Sequence, residues 1–206
     1  METRRVRRPR ADGLRNRARI VATACEVFAE QGPDAALDEI ARRAETANAT
    51  VYRHFPDRNA LLYEVVLGVL RRLADEATRP READPFAAVS RFMLAAAGER
   101  IAVICPLLAG HPDKDSPELA AEKERLVTGV STLVTTAQEA GRMRDDVSAF
   151  DLLMTLAQLT RPLRGGDWAA AETFARRSLQ LYLDGLVTPA RSTLPGRPPE
   201  PADLRR

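Results

Sequence analysis

Cysteine, tryptophan, histidine and long apolar runs are all scarce in this chain of 206 residues. It holds 2 Cys, 1 Trp and 2 His, and only 5% of its residues are Phe, Trp or Tyr. The two cysteines, Cys25 and Cys105, sit in apolar helical patterns without metal-ligand spacing, which fits free thiols in a reducing compartment better than a disulfide framework. His54 and His111 lie far apart with no second His or Cys nearby to complete a metal site. No apolar stretch approaches the ~20 residues of a membrane span. The basic opening METRRVRRPR is followed by no hydrophobic segment and is not a secretory signal, so a cytoplasmic protein is expected. Catalytic signatures are missing too: no Gly-rich phosphate loop, no Gly-x-Ser-x-Gly nucleophile and no paired metal-ligand set. Gly165 and Gly166 form a loop with no strand before it. Neither an enzyme nor a cofactor is expected.

What the chain does have is helix. Hydrophobic residues make up 45%, enough to bury a core, and they recur at helical spacing with no dominant alternation. The expected fold class is all-α. Charge is unevenly placed: residues 1–19 hold eight arginines against Glu2 and Asp12, whereas the remainder is net acidic. A basic arm on a mildly acidic body suits a polyanionic partner, although a solvated tail that aids solubility has the same composition.

The pattern divides into segments. Residues 1–13, Arg-rich with Pro9 and Gly13, read as a disordered basic arm. A first helix is expected from Leu14 to Gln31, with Ile20, Ala24, Val27 and Phe28 inward, closed by Gly32 and Pro33. Leu37–Ala44 and Ala47–Phe55 follow as two short helices around a break at Glu45 and Thr46. Asp57 caps a fourth helix carrying Leu61, Leu62, Val65, Val66, Val69, Leu70 and Leu73. Composition shifts near residues 78–85, separating an N-terminal unit, 14–78, from a larger helical one, 84–187. In the second unit Asp84-Pro85 and Ser116-Pro117 open helices, and a helix near Glu99–Ala109 is interrupted by Pro106. Ser148 and Asp151 form a capping box, and Asp167 caps a last helix from Trp168 to Leu186. Residues 188–206 read as a disordered Pro-rich tail.

Residues 37–62 carry the functional signal, because two short amphipathic helices and a break form a helix-turn-helix. Asn48, Thr50, Tyr52, Arg53 and His54 are not needed for the core face of the third helix. Asn48 pairs best with an adenine edge, while Arg53 reaches guanine or a phosphate. Thr50, Tyr52 and His54 suit backbone contacts, with partial packing as the competing role for Tyr52 and His54, and Arg58 suits a phosphate clamp. Arginines 4–10 either enter a minor groove or attract DNA generally.

Residues 15–66 resemble the DNA-binding domain of TetR-family transcriptional regulators. The resemblance rests on Ile20, Ala24, Phe28, Gly32, Ile40, Ala41, Thr50, Val51, Tyr52, Arg53, His54, Phe55, Arg58, Leu61 and Leu62. The chain departs from the family pattern in three places. Glu45 stands where Gly is usual in the turn, Ala47 where Ser is frequent, and Ala36 where Thr usually caps the second helix. Thr46 is a candidate substitute cap for the third helix.

The resemblance implies a homodimer formed by the last two helices, through Phe150, Leu153, Leu156, Leu179, Tyr182, Leu183 and Leu186. Consumption of that stripe inside one chain is the competing reading. The resemblance also implies a cavity for a small-molecule effector. Its expected lining is Phe86, Phe92, Met93, Cys105, Leu108, Leu126, Val130 and Met154, though apolar helical residues of this kind also serve as plain core; Arg161 is a rim candidate. The function implied is a ligand-responsive, sequence-specific repressor on a palindromic double-stranded DNA operator. The alternative is a helical protein-binding scaffold that has lost specific DNA binding, to which Glu45 and Ala47 lend weight.

Overall fold

The computed structural model describes residues 9–80, 83–161, 168–190 and 192–200. Among these residues the fold is all-α, in the order α1 (Pro9–Gln31), α2 (Leu37–Arg43), α3 (Asn48–His54), α4 (Arg58–Ala77), α5 (Pro85–Ala97), α6 (Ile101–Ile104), α7 (Pro117–Glu139), α8 (Ala149–Leu159) and α9 (Trp168–Leu186). A 3-10 turn, Cys105–Leu108, follows α6, where Pro106 denies the helix a backbone donor. The residues form two compact units. One takes the chain up to Val66 together with Leu107–Lys114, and the other takes Leu67–Pro106 and the chain from Asp115 on.

In the first unit α1, α2 and α3 pack on a core of Ile20, Ala24, Val27, Phe28, Ile40, Ala41, Val51, Phe55, Leu61 and Leu62, all buried. The apolar positions anticipated for these helices are the ones that face inward. Gly32, at φ 86°, closes α1 in the left-handed region, and its N–H donates to the Phe28 carbonyl at 2.9 Å. The start of α1 differs from expectation. It lies at Pro9 rather than Leu14, so residues 9–13 are helical and not part of an irregular arm. Pro is well suited to a first turn, and Asp12 there pairs with Arg15 and favours the positive helix end. Gly13 costs at most ~1 kcal/mol inside a helix and does not break it. Arg4, Arg5, Arg7 and Arg8 lie outside the described residues.

The segment Leu107–Lys114 joins this unit through His111. The Asp113 N–H donates to His111 Nδ1 at 3.0 Å, so Nε2 carries the hydrogen, and it donates to the Asn59 carbonyl at 3.0 Å. Both ring nitrogens are thereby committed to backbone.

In the second unit α5 lies against α7, α8 and α9, with Val89, Phe92, Met93, Val130, Val134, Leu152, Leu156, Leu179 and Leu183 in the core. The helix starts follow from local chemistry. The Asp84 carboxylate accepts from the Phe86 N–H at 3.1 Å ahead of Pro85, and Ser116 caps α7 ahead of Pro117. Ser148 and Asp151 exchange both bonds of a capping box. Asp167, the cap expected for α9, and Gly165 and Gly166 lie outside the described residues.

The described part of the C-terminal tail is irregular in backbone but anchored by hydrogen bonds. Arg144, 8% exposed, pairs with Asp146 at 2.5 Å and donates to the Ser192 carbonyl at 2.8 Å. The Ser148 hydroxyl reaches the Pro199 carbonyl at 3.4 Å. A buried guanidinium needs acceptors, and the tail backbone supplies one.

Candidate nucleic-acid interface

The turn between α2 and α3 sets the geometry of the site. The Thr46 N–H donates to the Ala41 carbonyl at 3.0 Å, and the Glu45 N–H donates to the Arg42 carbonyl at 3.2 Å. These two bonds make a Schellman motif with Glu45 in its left-handed position, φ 48°. Glycine is the usual occupant of such a site, since a side chain there costs ~1–2 kcal/mol. Arg19 Nη2 lies 3.5 Å from the Glu45 carbonyl. Thr46 does not cap α3. The cap position is Ala47, with no side-chain bond, and Ala36 likewise leaves α2 uncapped.

From this turn α3 divides cleanly into two faces. Val51 and Phe55 are buried, while Asn48, Tyr52 and Arg53 are exposed, Tyr52 by 52%. Thr50 and His54 are half-buried, and the His54 ring lies 6.3 Å from that of Phe55. Five of the six anticipated residues therefore share one short helix with their polar groups outside the core. The sixth, Arg58, opens α4, where its Nη1 donates to the Asp34 carbonyl at 2.8 Å. Its guanidinium is oriented by the loop after α1, where Nη2 also lies 3.4 Å from the Asp34 carboxylate, and the side chain as a whole stays 42% exposed.

Several contributors escaped the reading of the sequence. Asp38 accepts a hydrogen bond from Asn48 Nδ2 at 2.8 Å, tying α2 to α3 through side chains ten positions apart. Arg17 stacks 5.0 Å from the centre of the Phe55 ring and pairs with Glu64 at 2.7 Å, bracing α3 from α1. Glu39 bonds Arg42 and Arg43, and Arg43 also bonds Glu30 at 2.6 Å. The Arg42 guanidinium first, then that of Arg43, holds the Glu39 carboxyl down from 4.5 to about 2. A hydrophobicity pattern carries no signal for any of these contacts.

The second unit contains a groove of about 660 Å³ between the end of α4 and one face of α7. Ala77, Thr78, Arg79, Glu124, Arg125, Thr128, Gly129 and Thr132 line it. The eight residues expected to line an effector cavity lie outside the lining of this groove. Phe92, Met93, Leu108, Leu126 and Val130 are buried, and Phe86, Cys105 and Met154 are half-buried. Arg161 is exposed at the end of α8. The anticipated dimer residues also divide. Leu156, Leu179, Leu183 and Leu186 are 0–3% exposed, their apolar surface already used within one chain. Phe150, Leu153 and Tyr182 are half-buried, and α9 additionally exposes Phe174 by 57% and Leu181 by 64%. Burial raises the pKa of the Tyr182 phenol, against a hydrogen bond from Thr155 that lowers it.

Residues 20–65 match the family model for bacterial regulatory proteins of the tetR family. Residues 84–188 match that for the C-terminal domain of SbtR-like transcriptional regulators. Over 61 residues the chain is 43% identical to the uncharacterized HTH-type transcriptional regulator TtgW of Pseudomonas putida. That match covers 29% of this chain and 46% of TtgW, about half of the relative's length. Two crystal structures are similar over most of both chains. A TetR transcriptional regulator of Streptomyces coelicolor has a TM-score of 0.63 at 28% identity, covering 84% of this chain and 99% of its own. A TetR transcription regulatory protein of Mycobacterium vanbaalenii has a TM-score of 0.64 at 29% identity, covering 87% and 99%.

Proposed function

Because the chain belongs to the TetR family of transcriptional regulators, with a helix-turn-helix DNA-binding domain and no enzymatic role, we propose that it is a cytoplasmic homodimeric repressor. It would hold a palindromic operator and leave it when a small molecule binds its C-terminal unit. The observation that carries this reading is the two-faced α3. Its core requirement is met by Val51 and Phe55, which leaves Tyr52 and Arg53 outward with no packing role, and Asn48 outward with only one amide hydrogen used by Asp38.

Each side chain has a role that its chemistry suits. Arg53 offers a fork of donors to a guanine edge or a phosphate, and Asn48 offers an amide to a base edge. Thr50, Tyr52 and His54 donate to phosphates and set the register of the helix. Arg58, held by the Asp34 carbonyl, presents its remaining donors at the start of α4. A dimer through α8 and α9 would place two copies of α3 on half-sites about one helical turn apart. The exposed Phe174 and Leu181, beside half-buried Phe150, Leu153 and Tyr182, support that interface.

The effector would act by preferring one conformation of the chain over another. Its influence on DNA affinity is bounded by its differential affinity for the two. The core residues Phe92, Met93, Leu126 and Val130 and the groove beside α7 are the two places proposed for it.

Selection from a pool of random-sequence duplexes tests the reading. The protein is expected to enrich a palindrome. Arg53→Ala should weaken binding to that sequence by ~1–3 kcal/mol while sparing random duplex relatively. Equal affinity for the selected and random duplexes in the parent protein would show that α3 does not read bases.

A further inference from the structure

We propose that Asp38 is a specificity-determining positioning residue: it holds the Asn48 amide in one orientation and so commits Asn48 to a base that presents an exocyclic amine in the major groove, adenine above all. The proposal rests on the assignment of α3 as the base-contacting helix.

Asn48 is the first residue of α3, and Asp38 is the second of α2. An asparagine amide has two nearly isosteric orientations that exchange a carbonyl acceptor for an amino donor. Left alone on an exposed helix, it presents either to DNA. Here Nδ2 lies 2.8 Å from the Asp38 carboxylate, a group that only accepts. The reverse orientation would set Oδ1 against a carboxylate oxygen, so one orientation is selected. The neighbouring cations do not compete for Asp38. Arg42 is bonded to Glu39 through two nitrogens at 2.8 Å, and Arg43 is divided between Glu39 and Glu30.

Docking strengthens this selection. Asp38 and Asn48 are both exposed, and water solvates the carboxylate in the free protein. A duplex laid on α3 removes that water, and a carboxylate stripped of donors is costly. The Asn48 N–H is the donor already in place, and its bond is stronger where the local dielectric is lower. The pair therefore remains closed in the complex. What Asn48 still presents is Oδ1 and its second amide hydrogen. Adenine shows an N6 donor beside an N7 acceptor in the major groove and can use both. Cytosine N4 satisfies Oδ1 alone. Guanine O6 and N7 and thymine O4 are acceptors: they can take only the second amide hydrogen and leave Oδ1 without a donor, so they match Asn48 less well than adenine, which fills both.

The test presents the full-length parent, Asp38→Ala, Asn48→Ala and the double variant with a pool of random-sequence duplexes at one salt concentration. Base preferences are read by sequencing the bound fraction. The parent should prefer adenine or cytosine at one position of each half-site. Both single variants should lose about fivefold to a hundredfold of preference at that same position. The double variant should lose no more than either single one, because the two residues act as one unit. Affinity of Asp38→Ala for random duplex should rise, since a negative charge leaves the interface. Loss at a different position for Asp38→Ala would mean that Asp38 reads its own base, and would overturn the proposal. So would an unchanged preference in Asp38→Ala, or a parental preference for guanine or thymine at the Asn48-dependent position. Should Asp38→Ala melt below the parent, Asp38→Asn is read instead. That side chain can donate or accept and frees the amide to flip, so tolerance of guanine or thymine supports the proposal and retained discrimination overturns it. A parent that binds every duplex alike removes base reading by α3 altogether, an outcome distinguishable because it appears before any variant is compared.

Discussion

Glu45 occupies the left-handed position of a Schellman turn at φ 48°, where a glycine would sit without a Cβ clash. The side chain costs ~1–2 kcal/mol there, but glycine would also gain freedom in the unfolded chain, which offsets part of the relief. Glu45→Gly is therefore expected to stabilise by up to ~1 kcal/mol, a rise of about 2–4 °C in Tm for a chain of this size. It should also raise affinity for random duplex, because an acidic side chain leaves the neighbourhood of the phosphates. Thermal melting and a duplex titration check the two effects, and a lower Tm would mean that the Glu45 side chain makes a contact worth more than its strain. Glu39 carries a second residue-scale expectation. Its folded pKa is depressed from 4.5 to about 2, by Arg42 first and Arg43 second. The folded form binds fewer protons than the unfolded form in that interval, so the contribution is present above pH 4.5 and is lost as pH falls towards 2. Glu39→Gln should flatten the acid limb of unfolding in that window. The change should be modest, because Arg42 is 71% exposed and its pair is screened by water.

Three helix beginnings in the second unit were legible because the chemistry that sets them is local. Asp84 with Pro85, Ser116 with Pro117, and Ser148 with Asp151 each place a cap within three residues of the donors it satisfies. The two faces of α3 were legible for a related reason: a period of 3.6 sends Val51 and Phe55 inward and leaves Tyr52 and Arg53 out. Periodicity does not say what covers a face, however. Leu179, Leu183 and Leu186, spaced i, i+4 and i+7, lie inside one chain, whereas Phe174 and Leu181 share the opposite face of the same helix and are exposed; spacing separates the two apolar faces without saying which one the chain itself covers. Contacts between distant positions were hidden as well. Asn48 with Asp38, and Arg144 with the Ser192 carbonyl, depend on how elements meet rather than on either segment. Gly129 is a further case. A Cβ built there would lie 2.9 Å from that of Ala77, so α4 and α7 approach each other more closely than a side chain allows. Gly129→Ala should destabilise the second unit by ~1–3 kcal/mol through overpacking, despite the better helix propensity of alanine. Thermal melting reads this, and a rise in Tm would show that the crossing yields easily.

At the scale of the whole molecule, charge and, in the proposed dimer, symmetry decide how firmly DNA is held. Eight arginines in residues 1–19 face a remainder that is net acidic, so attraction to a polyanion is concentrated at one end of the chain. Affinity for duplex should fall with salt at a log–log slope of about −0.9 per neutralised phosphate, and a flat profile would favour a scaffold that binds protein instead. Symmetry makes the larger difference. A dimer that engages two half-sites gains avidity of about 10²–10⁴ over a single head without any new contact. Leu181 is 64% exposed on α9, and Leu183, two residues on, is 1% exposed, so charge introduced at the two sites separates assembly from folding. Leu183→Asp buries a carboxylate among apolar side chains and should unfold the second unit. Leu181→Asp leaves the protomer core untouched and should retain helical circular dichroism, sediment as a monomer, and bind the selected palindrome about 10²-fold or more weakly. Its affinity for a single half-site should remain that of the parent's single head, because α3 lies in the other unit. A Leu181→Asp protein that still sediments as a dimer and holds the palindrome would place the two-fold contact away from the exposed face of α9.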